Sequence, residues 1–392
     1  MTPGARVQAA IEVLERVLGG MAAERALTTW ARASRFAGSK DRAAVRDHVF
    51  DALRRLRSAA WTGGLERMPV EGDARQVLAG DLAQRGADLG RLFTGAGHAP
   101  APLDRPLSDK GPMPGVVALD APDWIVARLR SDLGAAADAA LAALRTRGPV
   151  FLRANLARTS PARLIARLTE EGIAAYPHPM VETALMLEGA PRGLASLPSF
   201  RDGLWELQDA GSQALVAHLP EAPGGRVLDL CAGGGGKALA YAARSDAAVF
   251  AHDAAADRMA DLPRRAARAG VRIACLADPE AQGPFDGVIA DVPCSGSGSW
   301  RRAPEAKWRL TEARLDELTG LQDAILDRAV DLVRPGGWIG YMTCSIFTIE
   351  NAARVDAALT RHPALSAERN WACLPEVDGP DGFHLTVLRK RG

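Results

Sequence analysis

With 392 residues, 47% of them hydrophobic and 24% charged, the chain is long enough for two or three cores of ordinary globular composition. A formal net charge of +1 decides nothing about nucleic acid, no run of 18 or more apolar residues reads as a membrane helix, and the first residues lack the apolar core of a signal peptide. The five cysteines, Cys231, Cys275, Cys294, Cys344 and Cys373, form no CxxC pair; that spacing fits neither a disulfide framework nor a zinc site and predicts a reducing, cytoplasmic compartment and no metal.

In chain order, Val7, Ile11, Leu14, Val17 and Leu18 recur at helical spacing and Gly19-Gly20 stops the pattern. Further helices are predicted over 24–36 and 41–58. The second of these has Val45, Val49, Leu53 and Leu56 on one face and Ser39-Lys40-Asp41 as its cap. Its arginines Arg42, Arg46, Arg54, Arg55 and Arg57 read first as a solvated face and second as an RNA contact. Pro and Gly crowd the stretch from 94 to about 121, which predicts a linker. A helix over 122–144, a strand over 150–155, a helix over 162–170 started by Ser160-Pro161, and short strands over 173–176 and 184–188 predict a small α+β unit. From about residue 205 short apolar strands (226–230, 248–253, 271–276, 287–291, 338–343) alternate with helices. That alternation predicts an α/β, Rossmann-like domain with a parallel sheet covered on both faces. A last strand over 383–388 follows a Gly/Pro turn and is expected to be antiparallel.

The first of these strands runs into Cys231-Ala232-Gly233-Gly234-Gly235-Gly236-Lys237 and then a helix. Glycines at such a junction let a ligand approach the backbone and the free N–H groups of the helix start. A phosphate-binding GxxxxGK[ST] loop is excluded, because Cys231 stands at the first glycine position and Ala238 at the Ser/Thr position. A dinucleotide GxGxxA pattern fits Gly233, Gly235 and Ala238, with Asp253 at ribose distance. S-adenosylmethionine fits equally well, with Asp253 on the ribose and Asp229 facing the cationic methionine end. On the loop alone the two cofactors are even.

Two further loops bear on the choice. Asp291-Val-Pro-Cys294-Ser-Gly-Ser-Gly298 ends one predicted strand and Thr343-Cys344-Ser345 ends the next. Strand carboxyl ends in doubly wound sheets carry the ligand crevice, so both cysteines are expected to face the glycine loop. A single cytosolic cysteine is ordinarily a small buried hydrophobe. Two at adjacent strand ends, each followed by Ser, argue for chemistry. The stretch Trp300-Arg301-Arg302, with Lys307, Trp308 and Arg309, is the strongest local nucleic-acid signal, since cations neutralise phosphate and indoles stack on bases.

Asp291-Val-Pro-Cys294-Ser-Gly-Ser-Gly298 with the Arg301-to-Arg309 stretch, Thr343-Cys344-Ser345 followed by Glu350-Asn351, Gln208-Asp209-Ala210-Gly211-Ser212 and Asp381-Gly382-Phe383 together resemble the motifs of the RsmB-type (Sun/Fmu) RNA 5-methylcytosine methyltransferases. The resemblance covers about residues 120–392. The helical N-terminus, with Lys40-Asp41-Arg42 before a long helix, more loosely resembles the NusB-like RNA-binding domain of the family's ribosomal-RNA members. The implied division is a helical NusB-like domain over 1–93, a linker over 94–121, a small α+β RNA-binding domain over 122–204 and a class I methyltransferase domain over 205–392.

The resemblance implies methyl transfer from S-adenosylmethionine to carbon 5 of a cytosine, with Cys344 as nucleophile, Cys294 promoting product release, Asp291 on the base edge and Lys237 near the reacting groups. Cofactor contacts would come from residues 231–237 (Cys231, Ala232, Gly233, Gly234, Gly235, Gly236, Lys237), with Asp253 at the ribose, Asp278 near the adenine and Asp291. The expected partner is RNA, 16S ribosomal RNA before transfer RNA, presenting an unstacked cytosine to a monomeric protein. This chain departs from the family pattern at Gly234, where Pro is usual, at Ala238, where Thr is usual, and at Phe347-Thr348-Ile349, where Leu-Pro-Glu is more common. A non-catalytic RNA-binding protein with a degenerate methyltransferase domain and a Rossmann dehydrogenase are the other readings. The dehydrogenase leaves both cysteine loops unexplained.

Overall fold

The computed structural model describes residues 1–104, 107 and 111–392. The chain forms two compact units, Met1–Arg147 with Trp300–Arg309 and Gly148–Ser299 with Leu310–Gly392.

The first unit is helical: α1 (Pro3–Leu18), α2 (Ala23–Ala33), α3 (Ser39–Arg54), α4 (Leu56–Thr62), α5 (Ala74–Gln84), α6 (Leu89–Leu92), α7 (Gly115–Ala118), α8 (Asp123–Leu133) and α9 (Ala136–Leu144), with α15 (Glu305–Arg309) contributed from far along the chain. The apolar stripes read from the sequence meet in one core: Val7, Leu14 and Val17 of α1, Val45, Val49 and Leu53 of α3, and Val77 and Leu78 of α5 are buried together. Thr2 caps α1 by accepting from the Ala5 N–H at 3.2 Å, with Pro3 in the first turn. The cap of α3 differs from expectation. Gly38 precedes the helix and its N–H donates to Asp41 Oδ2 at 3.2 Å, while Ser39 is already helical. The predicted helix over 122–144 is two helices, because Gly134 takes φ +56° between them. The proposed linker over 94–121 lies partly outside the described residues, at 105, 106 and 108–110. Within its described part, buried Asp120 accepts from Ser58 Oγ at 2.8 Å and Arg145 Nε at 2.6 Å.

The second unit begins with a four-stranded antiparallel sheet, order β2-β3-β1-β4, made of β1 (Phe151–Ala154), β2 (Ala175–Pro177), β3 (Ala184–Leu187) and β4 (Trp205–Leu207). The helices α10 (Pro161–Glu170) and α11 (Pro198–Arg201) accompany it. After α12 (Ala210–Ala217) come β5 (Arg226–Asp229), α13 (Gly236–Ala242), β6 (Ala248–Ala251), α14 (Leu262–Ala269), β7 (Ile273–Cys275), β8 (Phe285–Asp291), α16 (Glu312–Leu332), β9 (Val333–Thr343), α17 (Ala352–Arg361), β10 (Leu365–Cys373) and β11 (Phe383–Lys390). These strands form one seven-stranded sheet in the order β10-β11-β9-β8-β5-β6-β7.

The pairs β5–β6, β6–β7, β5–β8 and β8–β9 are parallel, and β11 is antiparallel to both neighbours. Val288, Ile289 and Ala290 on β8 and Ile339 and Tyr341 on β9 are buried. Strands covered on both faces need such continuous apolar runs, and this is why they were readable. Strand β10 was not predicted: five of its residues, Ala367, Glu368, Arg369, Asn370 and Ala372, are exposed, and the polar ones break any apolar run. The order reverses between β5 and β8, so the crevice over their carboxyl ends is the topological switch point.

Candidate active site

Three loops converge on that switch point. A cavity of about 410 Å³ is lined by Cys231, Ala232, Gly233, Gly234, Gly236 and Lys237 after β5, Asp291, Val292, Pro293 and Cys294 after β8, and Cys344 after β9. Gln208, Ser212 and Arg258 complete its wall.

The glycine loop is shaped by backbone geometry. Gly233 and Gly235 take φ +53° and +81°, a region that disfavours side chains. A Cβ on Gly235 would also stand 2.2 Å from Leu262 Cδ1, so the loop packs directly on α14. Asp253, just past β6 and 5% exposed, accepts from the Gly233 N–H at 2.8 Å and from Arg258 Nη1 at 3.1 Å. It thus sits behind the loop and fixes it. Arg258 lies on the cavity side of this pair, a role the sequence reading did not assign; its spacing of five residues after the acid was the available signal. Asp278 is exposed after β7 and accepts from the Ala281 N–H at 3.2 Å, and it is not among the lining residues.

Asp229 at the end of β5 is buried, and its Oδ1 has no hydrogen-bond partner. Burial, with Asp291 nearby, pushes its carboxyl up to about 7. An orphaned buried acid oxygen under a glycine loop suits a ligand carrying an ammonium group, as S-adenosylmethionine does. The donor set therefore fits that cofactor: loop N–H groups, Asp253, and Asp229 for the cation. Burial also pushes the Cys231 thiol up to about 12, which makes this cysteine an inert wall.

At the other end of the cavity Cys294 Sγ and Cys344 Sγ are 3.4 Å apart. Lys237 Nζ donates to Asp291 Oδ2 at 2.5 Å. Burial opposes the Lys237 charge, but Asp291 outweighs it and holds the amine above its ordinary value. The Cys344 thiol is lowered from its ordinary value, first by the hydrogen bond from Cys294 and also by the Lys237 charge, against burial and the Asp291 charge. Cys294 is raised, first by that same hydrogen bond, then by burial, the Cys344 charge and Glu350. Of the two thiols Cys344 is therefore the one that ionises first, with the shared proton on Cys294.

Other motif residues hold these loops. Asp209 Oδ1 accepts from the Gly211 N–H at 2.9 Å and the Asp381 N–H at 3.3 Å. The Gly382 N–H donates to Gly298 O at 2.9 Å, and a Cβ on Gly298 would stand 2.2 Å from Gly382 O. The Gly298 N–H in turn donates to Cys344 O at 2.9 Å.

Much of the basic stretch after Cys294 is internal and not open to nucleic acid. Trp300, Arg301 and Lys307 are buried, and Trp300–Arg309 belongs to the helical unit. There Arg54 Nε donates to Arg301 O at 2.7 Å, Trp308 Nε1 to Leu53 O at 2.7 Å and Arg309 Nη2 to Met21 O at 2.7 Å. Burial encloses Arg301 and Lys307, and the Trp308 indole NH is taken by an internal partner, whereas Arg302 and Arg309 are exposed. Several arginines read on the third helix are also paired: Arg46 with Glu24, Arg55 with Asp81 and Arg57 with Asp123.

The α/β sheet order, the glycine loop and the crevice define a class I methyltransferase domain. A model of the 16S rRNA methyltransferase RsmB/F family matches residues 216–385, and a model of the RsmF/B-like ferredoxin-like domain matches residues 121–192. Relatives named ribosomal RNA small subunit methyltransferase B include one from Salmonella arizonae, 33% identical over 286 residues, and one from Xanthomonas campestris pv. campestris, 36% identical over 290. Each match spans 69% of this chain and 66% of the relative. The chain belongs to the RsmB/F family of methyltransferases. Among solved structures, PH0851 superposes with a TM-score of 0.80 at 23% identity, covering 100% of this chain and 99% of that one. NSun6 from Pyrococcus horikoshii with SFG superposes with a TM-score of 0.61 at 16% identity, covering 69% and 98%. Both show likeness of fold.

Proposed function

We propose that the protein transfers a methyl group from S-adenosylmethionine to carbon 5 of a cytosine in RNA, 16S ribosomal RNA first, through a covalent bond between Cys344 and the base. The observation that carries this reading is the cysteine pair, 3.4 Å apart beside the Lys237–Asp291 ion pair.

Carbon 5 of cytosine is a poor nucleophile. Addition of the Cys344 thiolate at carbon 6 moves the ring electrons toward N3, which takes a proton, and leaves carbon 5 as an enamine carbon. Asp291 accepts hydrogen bonds from the N3–H and N4 edge and stabilises that form, while Lys237 holds Asp291 in place. The bound cofactor supplies a methyl group that carbon 5 attacks. Formation of the Sγ–C6 bond removes the charge that kept Cys294 protonated, so Cys294 gives its proton to water and becomes a thiolate base. It then takes the proton from carbon 5 as the Sγ–C6 bond breaks, Cys344 leaves as a thiolate, and N3 returns its proton to water. Residues 231–237 hold the cofactor mainly by backbone groups, with Asp253 turning from Arg258 to the ribose and Asp278 toward the adenine region. The helical domain over 1–93 and the α+β domain over 122–204 serve RNA binding in this reading, and the target base is unstacked or flipped.

Labelled S-adenosylmethionine and bacterial ribosomal RNA, with Cys344→Ala alongside, test the proposal. Wild type should label cytosine and the variant should not. Equal transfer by the variant refutes the nucleophile assignment. Label in transfer RNA alone would replace the substrate, and wild type that binds RNA but not the cofactor would support a binding protein instead.

A further inference from the structure

Glu350, in the turn between β9 and α17, is fully buried. Its Oε1 accepts from the Ser295 N–H at 2.8 Å and from Gln322 Nε2 at 2.9 Å. Its Oε2 accepts from Ser295 Oγ and from Ser345 Oγ, each at 2.5 Å. Both oxygens are thus filled by donors, the arrangement an acceptor-only carboxylate makes. Ser295 follows Cys294 and Ser345 follows Cys344, so one side chain is bonded to the residue after each cysteine.

The bracing continues around it. Gln322 Nε2 also donates to Pro293 O at 3.0 Å, and Tyr341 Oη donates to Glu350 O at 2.6 Å. Asn351 Nδ2 donates to Ser345 O at 2.9 Å, and Thr343 Oγ1 donates to Asn351 Oδ1 at 2.5 Å. Geometry that holds two sulfurs at 3.4 Å on the loops after two separate strands needs such a tie, because each loop alone has many conformations.

We propose that Glu350 is the positioning residue of the cysteine pair: its carboxylate ties the loop after Cys294 to the loop after Cys344, and its charge on the Cys294 side leaves Cys344 as the attacking thiol. The inference rests on the cysteine chemistry proposed above. The charges around the pair are arranged asymmetrically. Cys344 is faced by Lys237 and Asp291, which are themselves paired, and by Cys294, with Ser299 as a further hydrogen-bond partner. Cys294 is faced by Cys344 and by Glu350, and no cation is among its principal influences. Beside Cys344 the Lys237 charge offsets that of Asp291, whereas beside Cys294 the Glu350 anion has no such offset, and this difference favours the shared proton on Cys294. Glu350 never touches substrate in this account. It acts through the two cysteines.

The test uses the full chain and iodoacetamide, with peptide mapping by mass spectrometry at a series of pH values and with Cys344 and Cys294 scored separately. In wild type Cys344 should be alkylated first. Glu350→Gln keeps the shape but removes the charge, and should lower the Cys344-to-Cys294 ratio about tenfold near neutral pH, one unit of differential ionisation. Its pH–rate profile for methyl transfer should shift with a lower kcat and an unchanged KM for RNA. Glu350→Asp keeps the charge and should restore the order of alkylation. A folded Glu350→Gln protein, judged by its circular dichroism and melting, with the wild-type ratio overturns the proposal, and so does wild type that alkylates Cys294 first. If Glu350→Gln does not fold, Glu350→Asp decides: Cys344 first supports the proposal, and no preference overturns it. Alkylation needs no methyl transfer, so the expected ratios in a protein inactive on RNA would sink the function reading and leave this one standing.

Discussion

Replacing Asp229 by Asn tests how the cavity recognises a cation. The carboxyl is buried, one oxygen has no partner, and its pKa is raised from 3.8 to about 7 by burial and by Asp291. A raised acid is neutral in the folded protein below about pH 7, and a cationic ligand prefers the ionised form. Binding of S-adenosylmethionine should therefore strengthen as pH rises. The ionised fraction climbs from about 3% near pH 5.5 to about 75% near pH 7.5, so the apparent affinity should increase roughly 25-fold over that interval. Asp229→Asn keeps the shape and removes the charge. Loss of a charge-assisted hydrogen bond of about 1.5–3 kcal/mol predicts binding weaker by roughly 10- to 150-fold near pH 7.5, with a flat pH dependence. Titration calorimetry at several pH values measures both. Undiminished affinity in Asp229→Asn, or a pH-independent wild type, would refute the assignment of this acid to the cofactor's ammonium end.

Two other outcomes follow from the described geometry. Lys307 is buried in the helical unit and burial lowers its amine from 10.5 to about 8. A cation with a depressed folded pKa weakens the fold below about pH 8, and the loss disappears as pH rises from 8 toward 10.5. Lys307→Met should then stabilise the protein near pH 7 by about 1–3 kcal/mol, with a smaller gain above pH 9; thermal melting that shows destabilisation at neutral pH contradicts this. The second concerns oxidation. The two sulfurs need to close by only about 1.4 Å to bond. Diamide should therefore form one Cys294–Cys344 disulfide and abolish methyl transfer, with recovery under dithiothreitol. Mass spectrometry that finds both thiols free after loss of activity would point elsewhere.

Much of this architecture was readable because burial on both faces leaves its mark locally. The runs at Val288–Ile289–Ala290 and Ile339–Tyr341 are apolar because helices cover both sides of the sheet. The loops after β5, β8 and β9 announced themselves by Gly, Cys and Asp at strand ends. Residues whose meaning depends on distant partners did not. Arg301 and Lys307 look the same in sequence whether they meet phosphate or, as here, lie buried in the helical unit with Arg54 donating to Arg301 O. Glu350 stood in a quoted motif without a role, because its partners Ser295 and Gln322 are 55 and 28 residues away. Gln208 was invisible as a cavity wall for the same reason.

The central claim is that the two cysteines divide one covalent reaction between them. Incubate wild type, Cys344→Ala and Cys294→Ala with ribosomal RNA and S-adenosylmethionine, and score protein–RNA adducts on denaturing gels with the attachment site mapped by mass spectrometry. The account predicts methylated RNA and little adduct for wild type, neither for Cys344→Ala, and an accumulating Cys344-linked adduct for Cys294→Ala. An adduct through Cys294 in the Cys344→Ala protein, or full turnover by Cys294→Ala without any adduct, would contradict it.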